Sequence, residues 1–318
     1  MTNDMTQRKH RKYEALIERC KALPPLPCAV AHPCDESSLR GAVEAGQMGL
    51  FKPILVGPKA RIESVSAQFG IDLTGCEIVD APHSVASAET AVRLAREGKA
   101  EMLMKGSLHT DELMAEVVKR ETGLRTGRRV SHCFIMDVPA IDRVVIITDA
   151  AINIFPTLED KVHIVQNAID MARALGMELP KVAVLSAMET VNPQVPSTVE
   201  AAALCKMAER GQITGGVLDG PLALDNAIDL GAARIKKISS PVAGQADILV
   251  VPDLEAGNML AKSLSFLGGA VAAGVVLGAR VPIVLTSRAD TTSARLASCA
   301  LATLLCQAAR EGRIKAVG

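Results

Sequence analysis

Three polar residues at the end of an apolar run offer the clearest chemistry in this chain: Ile283–Thr286 is followed by Ser287, Arg288 and Asp290. A guanidinium is permanently charged and forks onto phosphate or carboxylate. A helix opening just beyond it, with Asp290 as its N-cap, adds unpaired backbone N–H groups, so the spot suits an anion, phosphate above all. A second run, Ile248–Val251, ends in Pro252 and Asp253, with Gly257 and Asn258 behind. An open α/β sheet binds its ligands outside the carboxyl ends of its strands, which is where both sets fall.

Two further strand ends carry polar residues. Lys105-Gly106-Ser107-Leu108-His109-Thr110 follows the run Glu101–Met104. Lys105, Ser107, His109 and Thr110, with Gly106 allowing close approach, suit a phosphate or a carbonyl. The alternative is a turn and a helix start at Thr110-Asp111-Glu112. Asp149 and Asn153 follow the run Val144–Thr148 and either fix a ligand hydroxyl or cap the next turn. Leu124-Arg125-Thr126-Gly127-Arg128-Arg129 reads as a connecting loop, with Arg128 and Arg129 solvated. Asp219 and Asp225 flank a Gly-Pro turn signal at the end of a strand. The chain has no G-x-x-x-x-G-K-[ST], no strand-bound G-x-G-x-x-G and no G-x-S-x-G elbow.

The elements that must position these groups alternate from end to end. Strand-length runs are expected near Cys28–Ala31, Ile54–Gly57, Glu77–Asp80, Glu101–Met104, His132–Met136, Val144–Thr148, Val182–Ser186, Gly216–Asp219, Ile248–Val251 and Ile283–Thr286, with helical periodicity between them. That order predicts an α/β fold with mainly parallel sheet. Helix starts are expected at Asp35, Ser84, Pro156-Thr157 and Pro196-Ser197, and stops at Gly98 and Gly176. The charged N-terminal stretch reads as a surface helix. Ser263–Ala279 contains no charge and carries Gly268, Gly269, Gly274 and Gly278; it reads as a buried helix or helix pair, not a membrane span.

Composition narrows the functions available. A chain of 318 residues, 49% hydrophobic, has core enough for two domains. Lys+Arg 35 against Asp+Glu 35 leaves no global field for nucleic acid, and five Phe, one Tyr and no Trp leave little to stack on bases. The eight cysteines are scattered without a C-x-x-C pair, so a reduced cytoplasmic setting and no metal site are expected.

Taken in order, KGSLHT, LRTGRRVSH, ITDAAINIFPT, LDGPLALDNAI, SPVAGQADILVVPDLEAGNMLAKSL and PIVLTSRAD resemble the phosphate acetyltransferase and phosphate butyryltransferase family. The resemblance covers nearly everything after Lys21, and the block Ser240–Asp290 is its most specific part. It implies reversible acyl transfer between coenzyme A and inorganic phosphate, with coenzyme A as substrate and no permanently bound cofactor. It also implies a homodimer, and a two-domain α/β/α fold like that of isocitrate and isopropylmalate dehydrogenases. The domains would be 1–139 plus 285–318, and 140–284, with the active site in the cleft between them. On the matching motif Arg288 holds phosphate, Ser287 stabilises the oxyanion or thiolate, and Asp290 is the nearby carboxylate. Lys105, Gly106, Ser107, His109, Thr110, Asp149, Asn153, Asp253, Gly257 and Asn258 are the substrate-binding candidates.

The chain departs from the acetyl-specific pattern in three places. The position seven residues after Ser287, where those enzymes carry a catalytic aspartate, is Ala294. Asp111-Glu112-Leu113-Met114 follows His109-Thr110 where they carry an arginine shortly after, and Ser186–Pro193 replaces their glycine- and serine-rich loop. All three point to the butyryl-like branch or to broader acyl specificity. Two other readings remain open: a nicotinamide-dependent 2-hydroxy-acid dehydrogenase on the same fold, and a non-catalytic acyl-CoA-binding module.

Overall fold

The computed structural model describes residues 11–285 and 290–315. Helices and strands alternate along the chain as the sequence predicts. Contacts group it into two compact units: one takes Tyr13–Arg128 and the chain from Ala273 on, the other Arg129–Ala272 with the chain before Tyr13. The sequence expectation set its breaks after 139 and after 284.

In the first unit the strands lie in the order β3 (Glu77–Asp80), β2 (Phe51–Gly57), β1 (Leu26–Ala31), β4 (Met102–Lys105), β11 (Ile283–Val284), β10 (Val271–Leu277). Strands β3 to β11 run parallel, and β10 runs antiparallel to β11. Ala31 pairs with Lys105 and Met104 with Val284, so the carboxyl ends of β1, β4 and β11 meet at one edge. Local chemistry sets the helices around them. The Asp35 carboxylate accepts the Ser38 N–H at 2.8 Å and opens α2 (Glu36–Gln47). The helix α4 (Ser84–Arg96) ends before Gly98, whose φ of +72° suits glycine. The chain's first described helix, α1 (Arg11–Lys21), turns Tyr13, Leu16, Ile17 and Cys20 inward and its charges outward. The last, α11 (Thr292–Arg310), is buried along most of its length and packs on α2, β4 and β11.

The second unit orders its strands β5 (Ser131–Asp137), β6 (Val145–Thr148), β9 (Ile248–Val250), β7 (Lys181–Leu185), β8 (Val217–Leu222). Only β5 is antiparallel to its neighbour. Ile147, Ala183, Leu185, Leu222, Leu249 and Val251 share its core with Ala227, Val242 and Ala261. Thr157 caps α6 (Leu158–Ala174) through Asp160 N–H at 3.2 Å, and Pro196 sits at the start of α7 (Pro196–Glu209).

Two expectations are corrected. Ser263–Ala279 is neither a helix nor a helix pair: α10 (Leu254–Phe266) stops there, Gly269 turns the chain at φ +63°, and β10 follows. The β-branched Val275 and Val276 pair with Val284 and Ile283, and this ladder overrides the small-residue pattern that suggested helix. Among the described residues no helix is long and apolar enough to cross a membrane. Gly220-Pro221 lies inside β8 rather than in a turn after it. That strand ends the sheet order and pairs with β7 alone, so a residue without an N–H is tolerated there.

Candidate functional site

At the β1–β4 edge the chain is packed tightly enough to fix its side chains. Gly106 donates its N–H to the Ala31 carbonyl at 2.8 Å, and a Cβ at that position would lie 2.4 Å from the same oxygen and 2.5 Å from that of His32. No other residue fits without a backbone shift. Ser107 gives both its N–H (2.9 Å) and its hydroxyl proton (2.8 Å) to the His32 carbonyl, while its Oγ accepts the Cys34 N–H at 3.3 Å. Lys105 donates Nζ to the carbonyls of Gly106 and Leu108, each at 3.1 Å. His109 caps α5 (Thr110–Val117), its N–H held by Glu112 Oε2 at 2.8 Å, so Thr110 begins the helix as the turn-and-cap reading required. Glu112 Oε1 accepts the Ser84 hydroxyl at 2.7 Å, and that bond, followed by the one from His109, holds its carboxyl below the usual range.

Ser287 and Arg288 lie outside the described residues. Asp290 is described, and its role as N-cap is corrected: Thr291 caps α11, its Oγ1 accepting the Ala294 N–H at 3.2 Å. A threonine hydroxyl one residue nearer the helix reaches its first turn. Asp290 instead gives its carbonyl to Arg295 Nη2 at 2.7 Å, and Arg295 Nη1 reaches the Ser37 carbonyl at 2.9 Å. Arg295 and Arg40 line an open cavity of about 400 Å³ with Asp35, Glu36 and Ser37.

In the second unit Asp149, Asn153, Asp253, Gly257 and Asn258 form one constellation at the β6 and β9 ends. Asp149 is buried and accepts the N–H groups of Ala151 (3.0 Å), Ile152 (3.1 Å) and Asn153 (3.1 Å), together with Asn153 Nδ2 at 2.6 Å. Asn153 in turn reaches the Val130 carbonyl at 2.9 Å and accepts Arg129 Nε at 2.8 Å. These bonds fold the turn after β6, the second of the two readings open from the sequence. Arg129 is therefore anchored at its Nε although the side chain is 56% exposed, a correction to its purely solvated reading. Asp253 caps α10 through the Ala256 N–H at 2.8 Å. Gly257 lets that helix approach: a Cβ there would stand 2.8 Å from Ala150 Cβ and 2.7 Å from Val251 Cγ2. Asn258 then donates Nδ2 to the Ala150 carbonyl at 3.2 Å.

Titration adds a constraint. Burial raises every one of the eight thiols, Cys34 to about 11 and Cys20, Cys133, Cys205, Cys299 and Cys306 each to about 12. A thiol held protonated is a poor nucleophile, so none of them is set up for covalent catalysis. Burial also pushes the His132 imidazole down to about 4, with the Asp149 carboxylate opposing it. Among the described residues no three His, Cys, Asp or Glu are grouped to hold a metal ion.

The structure brings together, at one edge of the first unit, Lys105, Gly106, Ser107, His109 and Thr110, and it adds a residue that the sequence reading passed over. His32 follows β1 directly, and Gly106 and Ser107 pack on its backbone. The available signal was a histidine at a strand's carboxyl end, in Ala31-His32-Pro33-Cys34-Asp35, the same position that singled out the other candidates. Arg295 was overlooked because an arginine within a helical pattern carries no mark of what it reaches.

Comparison with known proteins gives this geometry its family. Residues 84–303 match the family model described as phosphate acetyl/butaryl transferase. The chain is 65% identical over 306 residues to a phosphate acetyltransferase of Rhizobium meliloti, covering 96% of this chain and 97% of that protein. It is 40% identical over 295 residues to a phosphate butyryltransferase of Clostridium acetobutylicum, covering 93% and 98%. A branched-chain phosphotransacylase from Enterococcus faecalis, solved by crystallography, superposes with a TM-score of 0.77 at 32% identity, covering 88% of this chain and 99% of that one. With sequence and fold in agreement over nearly the full length, the chain belongs to the phosphate acetyl/butyryl transferase family and is a phosphate acyltransferase.

Proposed function

We propose that the chain moves a short acyl group between coenzyme A and inorganic phosphate, with acetyl-CoA as the favoured donor. The observation that carries the acetyl preference is the 65% identity to a phosphate acetyltransferase, against 40% to a phosphate butyryltransferase. Ala294 and the Ser186–Pro193 loop favour the opposite branch, so the preference is the point to measure.

In this reading Arg288 holds phosphate by a forked contact, and Ser287 stabilises the oxyanion of the attacked carbonyl, with Asp290 the nearby carboxylate. Lys105, Gly106, Ser107, His109 and Thr110, and Asp149, Asn153, Asp253, Gly257 and Asn258, are the substrate-binding residues of this reading. The raised thiols of the protein support direct transfer to the sulfur of coenzyme A rather than through an acylated cysteine. Coenzyme A is a substrate, no cofactor is permanently bound, and neither nucleic acid nor membrane is a partner. Eight unpaired cysteines fit a cytoplasmic setting. Met259 and Phe266 lie two turns apart on α10, 62% and 84% exposed, and such an apolar stripe supports the homodimer.

The test is thiol release from acetyl-CoA and butyryl-CoA with and without phosphate. Phosphate-dependent release is expected from both, with the higher kcat/KM for acetyl-CoA. No phosphate-dependent release from either would sink the activity, and a higher kcat/KM for butyryl-CoA would reverse the preference.

A further inference from the structure

Arg295 holds two carbonyls with one guanidinium. Its Nη2 donates to the Asp290 carbonyl at 2.7 Å and its Nη1 to the Ser37 carbonyl at 2.9 Å. Side chains on a helix lean towards its N-terminus, so from α11 the arginine folds back to the residue just ahead of the cap Thr291. Ser37 lies in the first turn of α2, and the chain leading there from β1 passes the Gly106-Ser107 turn, where Ser107 Oγ accepts the Cys34 N–H. One side chain thus fastens Asp290 to the connection between β1 and α2, at the carboxyl end of the first unit's parallel strands.

Packing alone does not call for an arginine at this place. Its Nε is buried and among the described residues has no hydrogen-bond partner, and a buried donor left unpaired is destabilising. The cation also lies at the N-terminal ends of α2 and α11, where the helix dipole disfavours positive charge, although Asp35 and Glu36 on the same cavity wall offset part of this. Gly41 leaves the stem its space inside α2: a Cβ there would stand 3.3 Å from Arg295 Cδ, and glycine is a poorer helix former than alanine. A methionine would fill the same space with none of these penalties. What it could not do is fix two carbonyls at once, for which a planar fork of N–H donors is suited.

The residue so held is the one the chemistry needs in place. Position 294, the aspartate of the acetyl enzymes, is alanine, and Asp290 is the carboxylate nearest in sequence to Ser287 and Arg288. We propose that Arg295 is a positioning residue of the acyl transfer, which fixes the backbone of Asp290 and with it the placement of that carboxylate. The inference rests on the phosphate acyltransferase reading above. Arg295 acts through Asp290 and not on the reacting atoms, and a misplacement of about 1 Å is enough to lower a rate on the order of 10²-fold.

The test measures phosphate-dependent thiol release from acetyl-CoA by the full chain, well below the melting temperature of each variant. Arg295→Ala is expected to lower kcat by on the order of 10- to 100-fold, with KM for acetyl-CoA and for phosphate within a few-fold. Arg295→Lys puts one ammonium in place of the fork and should remain about tenfold down or more. Because the effect passes through Asp290, adding Arg295→Ala to an Asp290→Asn enzyme should cost no more than about threefold further, where independent sites would multiply their losses. Arg295→Met, which fills the space without donors, carries the same measurements if Arg295→Ala does not fold. The assignment is overturned by any folded Arg295 variant with kcat within about twofold of wild type, or by an Asp290→Asn enzyme as active as wild type. Losses that multiply in the double variant, or failure of both Arg295→Lys and Arg295→Met to fold, overturn it equally, since the arginine then serves stability. A wild type without phosphate-dependent thiol release fails the acyltransferase reading instead.

Discussion

At the scale of single residues, two positions separate packing from chemistry. Asp149 answers four donors of its own turn within 3.1 Å, and removing it takes the acceptor from the buried Asn153 N–H and from the turn's other N–H groups. Asp149→Ala is expected to cost on the order of 3 kcal/mol of stability, measurable as a lower denaturation midpoint. A residue that served substrate alone would lose activity with no change in midpoint. Gly106 is the steric counterpart: Gly106→Ala sets a methyl against the Ala31 and His32 carbonyls. Because the Ser107 turn and the His32 backbone are pinned to each other there, that variant is expected to lose both stability and turnover, the latter by at least tenfold in the thiol-release assay.

At the scale of elements, helix ends show how much the sequence made legible. Asp35, Thr157 and Gly98 act at the helix termini where their types placed them, because cap chemistry is local and acts over three or four residues. The same logic points to Asp290 as a cap, but its neighbour Thr291 takes the place. Thr291→Ala is accordingly expected to destabilise α11 by about 1 kcal/mol, measurable as a lower melting temperature. The strand β10 was not legible, since its run of small residues acquires strand character only from the partner Ile283–Val284. The candidate site divides in the same way. Lys105 to Thr110 and Asp149 to Asn153 were visible as polar residues at strand ends, which is a pattern in the chain. His32 and Arg295 acquire meaning from Ser87, Ser107 and Ser37, residues remote in sequence that only folding brings near.

At the scale of the whole molecule, buried titratable groups bound the pH range of stability. His132 is pushed from 6.5 down to about 4, so its contribution is complete above 6.5 and is lost as pH falls through about 4. The thiols are raised from 9 to about 12, so theirs is complete below 9 and is lost as pH rises towards 12. Melting temperature should therefore show a plateau between about 6.5 and 9. In His132→Asn the decline between 6.5 and 4 should be shallower, and an unchanged slope would rule out His132 as its source.

The helix α11 carries a consequence for how the protein is made. With the strands β10 and β11 it joins a unit whose remaining strands and helices come from Tyr13–Arg128, and it supplies Ala297, Cys299, Ala300, Leu301 and Leu304 to the interior. On the ribosome Tyr13–Arg128 emerges before Arg129–Ala272, yet the unit it belongs to lacks one of its core helices until Arg310 has been joined. Arg129–Ala272 forms a continuous stretch and has all of its own strands long before that. The stretch made ahead of Arg129–Ala272 thus belongs to the unit completed after it, and its apolar surfaces wait for a helix not yet made.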